Sequence, residues 1–130
     1  MGLLAAQLLS ASFLAILFLQ SGLDKVLDWT GNKAYIGGVL AKTPLRPVST
    51  LALLTITVLE VLTGVLSAAG AASVLLTGEP GVALLGACLA ALTLLCLFLG
   101  QRLAKDYAAA AGLVPYFLTA IAAVLLEGQR

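Results

Sequence analysis

The sequence predicts an all-α fold: an integral membrane antiparallel four-helix bundle with a short interfacial helix or re-entrant segment in its first connection. Three observations predict it. Of the 130 residues, 62% are hydrophobic and 10% charged, against roughly 45–50% and about 25% in a soluble domain. A domain this small has too little interior to hide that surface, so lipid is the expected solvent, and a disordered chain is excluded by the same composition. Four segments reach the roughly 20 mostly apolar residues that one crossing needs: residues 2–22, 48–74, 81–99 and 108–126. These runs are continuous in Ala and Leu and do not alternate at period two, which favours helices over barrel strands. Residues 1–130 read as one membrane domain, with neighbouring helices antiparallel.

The first span has no Lys or Arg before Lys25, and its apolar character persists to Leu19. It lacks the basic start and short apolar stretch of a signal peptide and reads as a retained helix. The first connection, 23–47, is long and polar. It carries Asp24, Lys25, Asp28, Trp29, Lys33, Tyr35, Lys42 and Arg46. Within it, 32–41 mixes apolar and small residues. A short helix or re-entrant piece at headgroup level would suit Trp29 and Tyr35; a solvated loop is the alternative. The second connection is the tight turn Thr77-Gly78-Glu79-Pro80. Gly78 suits a helix C-terminus and Pro80 the first turn of the next helix. The third, 100–107, carries Arg102, Lys105 and Asp106.

Charge and inventory narrow the function classes. A net charge of +1 argues against a nucleic-acid partner. Six of the seven basic residues fall in the first and third connections and only Arg130 on the other side. The positive-inside tendency then puts loops 23–47 and 100–107 in the cytoplasm and both termini outside. There is no His, which removes the commonest metal ligand and general base. Cys88 and Cys96 stand eight apart in an apolar run, with neither redox nor zinc spacing. No metal site or catalytic residue is expected.

The polar residues inside the spans are the candidate site. Glu60 lies near the middle of the second span, where an unpaired carboxylate costs about 2.5–3.5 kcal/mol on insertion scales. It must face the interior and be protonated, paired or hydrogen-bonded. It reads as a ligand, proton or quinone site, or as an interhelical hydrogen bond that locks the bundle. Matching depths places Ser10 and Ser12 level with Glu60, with Ala90 and Thr93 on the third span and Pro115 and Tyr116 on the fourth. Pro115 frees the carbonyl of Ala111. The expected polar core is Ser12, Gln20, Ser21, Glu60, Thr93 and Tyr116. At the end of the first span, Ser21 and Lys25 share a face, and Lys25 and Asp28 are spaced to pair. This end reads as a charged pocket mouth with Trp29 as an aromatic wall, or as a snorkelling anchor. Lys25, Trp29, Glu60 and Tyr116 are thus the candidate quinone or lipid pocket. Small residues at Ala11 and Ala15, Gly86 and Ala90, and Ala87 and Ala91 recur at helix-contact spacing.

The end of the first span, FLQSGLDKVLDW (18–29), and the element LEVLTG (59–64) resemble the DoxX-like family of small four-helix bacterial membrane proteins. With Gly31-Asn32 and KTPL (42–45), the long first connection resembles the version common in Bacteroidetes and related bacteria. The resemblance implies an inner-membrane bundle with Ser21, Gly22, Lys25 and Glu60 at recurrent positions. It also implies subunits of a thiosulfate:quinone oxidoreductase, membrane partners of redox-defence proteins, or assembly factors. The leading expectation is a non-catalytic accessory or assembly subunit of a larger respiratory or secretory membrane complex. The bilayer and other integral membrane subunits would be its partners, with a quinone or bound lipid as its one candidate cofactor. A quinone-binding oxidoreductase subunit is the alternative, and a small transporter a weaker one, since no inverted repeat is evident.

Overall fold

A computed structural model describes residues 1–129; Arg130, which enters the charge count above, lies outside them. The described residues hold five α-helices, α1 (Gly2–Leu27), α2 (Trp29–Val39), α3 (Ser49–Thr77), α4 (Gly81–Leu103) and α5 (Tyr107–Glu127), a 3-10 turn at Arg46–Val48, and no strand. Four of the helices, all but α2, are long and apolar enough to cross a membrane.

Each boundary has a local cause. α1 runs on to Leu27, five residues past the expected end at 22, because Asp24 and Lys25 are tolerated on a continuing helix. Asp28 then forms the corner. Its backbone N–H donates to Asp24 O at 2.9 Å, and its carboxylate accepts from Gly31 N at 3.3 Å, capping the start of α2. The stretch expected to be a helix, a re-entrant piece or a loop is thus the helix α2, none of whose residues is fully buried. α3 ends at Gly78, whose φ of 75° is the left-handed conformation that glycine adopts without strain. Asp106 accepts from Ala109 N at 3.1 Å and starts α5. That helix continues through Pro115.

The packing is small inside and large outside. Ala87, Ala90, Ala120 and Ala123 meet Leu14 and Phe18 in one buried cluster, and Ala11, Val74 and Ala83 form a second. The long aliphatic side chains point outward; Leu9 is 68% and Leu76 81% exposed. α1 meets α3 with Leu19 against Gly64 and Gly22 against Val61. α3 meets α4 with Gly70 against Ala83 and Ser67 against Gly86. In both pairs one residue number rises as the other falls. Small residues at these crossings let backbones approach closely, which drives helix association where lipid offers no hydrophobic gain.

Candidate functional site

The buried face of α3 is a stripe of Leu53, Thr57, Glu60, Thr63, Gly64, Ser67, Gly70 and Val74. Its spacing of three to four residues is one face of a helix. Much of the stripe is polar, and its centre is Glu60, 1% exposed.

Glu60 has a partner from α1. Lys25 Nζ lies 2.9 Å from Glu60 Oε1 and donates to Ser21 Oγ at 3.1 Å. The backbone permits this. A Cβ on Gly22 would sit 2.8 Å from Val61 Cγ2 and 3.1 Å from Val61 N. One on Gly64 would sit 2.8 Å from Leu19 N. The two glycines flank Glu60 and draw α1 onto α3, so that a lysine one turn above Ser21 reaches the carboxylate. Both charges leave water, and each is compensated by the other.

This geometry revises the expected layer. Glu60 is level with Ser21 and Gly22, about ten residues along α1 from Ser12, because α1 extends to Leu27 and the glycine contacts fix the register. Ser12 Oγ donates to Leu8 O at 2.8 Å and Ser10 Oγ to Gln7 O. Gln20 is exposed. Tyr116, 38% exposed, lies away from the interior. Lys25 turns to Glu60 and leaves Asp28 to cap α2. Trp29 lines an outward groove with Val26, Val58 and Val61, separate from the cavity that Lys25 lines. Thr93 is fully buried and meets Thr63, with the hydroxyl oxygens 3.3 Å apart. Thr93 also donates to Leu89 O at 2.8 Å, so the shared proton comes from Thr63.

Three participants escaped the sequence reading. Thr63 was legible as a polar residue one turn below Glu60. Gln7, 3% exposed, donates through Nε2 to Leu126 O at 2.9 Å and Gln129 O at 2.8 Å, joining α1 to the end of α5. Glu127, 2% exposed, has both carboxyl oxygens buried without a hydrogen-bond partner among the described residues; it stands just beyond the predicted end of the fourth span. Among the described residues no three potential metal ligands converge.

No protein-family profile, no curated protein and no solved structure matches the chain.

Proposed function

We propose that the chain is a multi-pass protein of the bacterial inner membrane, an antiparallel four-helix bundle of the DoxX-like kind. It serves as a non-catalytic accessory or assembly subunit of a larger respiratory or secretory membrane complex. The observation that carries this is the Lys25–Glu60 contact at 2.9 Å. A carboxylate and an ammonium that neutralise each other across two helices hold those helices in place; neither is left as a free acid or base. The inside-out packing supports the membrane setting, since Leu side chains cost nothing against acyl chains. α2, with no fully buried residue, and the outward leucines of α5 leave surface for neighbouring subunits. With Lys25 committed to Glu60, the topogenic residues on the proposed cytoplasmic side are Lys33, Lys42, Arg46, Arg102 and Lys105, and the termini are periplasmic.

Purification from native membranes in mild detergent tests the proposal, with mass spectrometry of everything that co-elutes. The expected result is a particle well above the 13.2 kDa chain with defined membrane subunits in fixed ratio. A monodisperse particle of monomer mass without partners overturns it.

A second reading, a quinone-binding subunit of an oxidoreductase such as thiosulfate:quinone oxidoreductase, draws support from a cavity of about 360 Å³ lined by Lys25. Electrons would come from a partner's cofactor, and Tyr116, on the outward surface, has no part in it. Solvent extraction of the purified complex should then yield quinone in stoichiometric amount, and its absence removes this reading.

A further inference from the structure

The cavity beside Lys25 is walled by α2, the first half of α3 and the last turns of α4, with Ile36, Leu40, Ile56, Leu59, Leu97 and Gln101 among its lining. Its volume of about 360 Å³ falls in the range of small-molecule sites. The lining is almost wholly apolar, and Lys25 is its one cation among the described residues. Thr55 also lines it, but its hydroxyl donates to Leu51 O at 2.9 Å.

Lys25 has a donor to spare. An ammonium carries three N–H groups. One donates to Ser21 Oγ, and the ammonium lies 2.9 Å from Glu60 Oε1 as an ion pair without hydrogen-bond geometry; no other acceptor meets it among the described residues. The side chain keeps 15% of its surface exposed and lines the cavity, so this donor is the charged one the protein offers a guest; the Gln101 amide, whose Oε1 is buried without a hydrogen-bond partner among the described residues, is a second, neutral polar group on the lining.

Charge decides the kind of guest. Lys25 and Glu60 sum to zero. A carboxylate or phosphate head entering here would lose its water and find no uncompensated cation. An uncharged carbonyl needs only the hydrogen bond, and leaves the Lys25–Glu60 balance intact. We infer that this cavity binds a lipid-soluble molecule with an apolar chain and an uncharged, carbonyl-bearing head whose oxygen accepts a hydrogen bond from Lys25. A prenylated quinone and a glycerol ester of a fatty acid share that chemistry. The inference rests on the membrane reading above, and not on the accessory role.

Two cysteines supply the test. Both are exposed free thiols; Cys96 lines the cavity and Cys88 does not. The full chain in an alkyl maltoside, which has no carbonyl, is labelled with N-ethylmaleimide, and the two sites are followed by mass spectrometry. Decylubiquinone or monoolein should slow labelling of Cys96 several-fold and leave Cys88 unchanged, while oleate should protect neither. Protection by one neutral lipid alone supports the site and identifies its source. Protection by oleate equal to that by monoolein overturns the neutral-head specificity, and no protection by either neutral lipid overturns the site. The double variant Lys25→Met/Glu60→Leu removes the donor without stranding a charge. It should lose protection at an unchanged Cys88 rate, and retained protection overturns the role of Lys25. Alkaline carbonate extraction of native membranes reports on the membrane reading separately: release of the chain by carbonate would sink that reading, whatever the labelling shows.

Discussion

The helix assembly buries two glutamates, one partway along α3 and one at the end of α5, and treats them differently. In α3 Glu60, 1% exposed, forms an ion pair with Lys25 at 2.9 Å, without hydrogen-bond geometry. At the end of α5 Glu127, 2% exposed, has no hydrogen-bond partner for either oxygen among the described residues. It also sits at the C-terminus of α5, where the helix dipole gives no reward to negative charge. A polar contact that does form there is made by Gln7, which donates to Leu126 O in the last turn of α5 and to Gln129 O just beyond it and leaves the carboxyl alone. Burial by itself therefore says little about what a glutamate does. Glu60 is an element of the α1–α3 joint, whereas the α1–α5 joint at the far end is made by an amide, with Glu127 beside it as a passenger.

The largest effect should come from breaking the first joint halfway. Lys25→Met strands the Glu60 carboxylate among apolar groups, and removing one partner of a buried pair typically costs about 3–5 kcal/mol. Unfolding in detergent followed by circular dichroism should register the loss. Lys25→Met/Glu60→Leu should recover most of it, because replacing both charges leaves nothing unpaired. If the single and double variants are equally unstable, the pair is not the joint.

Next in size are the glycines that allow the joint. Gly64→Ala drives a methyl to 2.8 Å from the Leu19 backbone nitrogen, which no rotamer change relieves. Overpacking of this kind costs about 1–3 kcal/mol. Gly37→Ala, with nothing within 4 Å of the new methyl, is the control and should be slightly stabilising, by about 0.5–1 kcal/mol, because alanine is the better helix former. In the same unfolding assay, equal stability of the two variants would mean that α1 and α3 are not in close contact at this point.

The sequence was informative about the first joint and poor about the second, for a physical reason. The length and apolarity of the runs make four helices legible, and an acid in mid-span must find company, so Glu60 stands out. Its depth was misjudged because residues 23–27 look like a loop by polarity, yet continue α1. Those five residues add about one and a half turns to α1, and the close contacts at Gly22 and Gly64 set the register, which moves Glu60 from Ser12 to Ser21 and Lys25. The far joint is invisible to the same logic. Gln7 and Glu127 lie near span ends, where polar residues are ordinary, and only the packing of the helix ends reveals that both are buried. Tyr116 errs the other way: an aromatic in mid-span is as comfortable in lipid as in the core, so its sequence position does not say which way it points.

Gln7→Leu tests the second joint itself. It removes one donor from Leu126 O, which keeps Gln129 N–H at 3.1 Å, and one from Gln129 O, so what is lost is the net worth of these hydrogen bonds, about 0.5–1.5 kcal/mol each. Gln129 is exposed at the chain end and turns to solvent easily, so the result should fall at the low end of that range. The loss should be local. Hydrogen exchange should quicken in the last turn of α5 and leave α3 near Glu60 unchanged. Uniform quickening along the chain would mean that the amide contributes to the whole core and not to one end of it.

The smallest effect is expected at Glu127, and it is the sharpest check on the contrast. Glu127→Gln keeps the shape of the side chain and changes only its capacity for charge. If the carboxyl has no partner, no attraction is lost and a neutral side chain avoids the cost of burying a charge, so stability should hold or rise. Glu60→Gln, with the same change of atoms, leaves Lys25 facing a neutral amide and should be clearly destabilising. The two isosteric changes measured side by side in one unfolding assay thus weigh company against burial, since burial is nearly equal at the two sites. A Glu127→Gln penalty matching that of Glu60→Gln would mean that Glu127 holds a cation or a charged neighbour in the membrane, and that the two sites are built on the same plan after all.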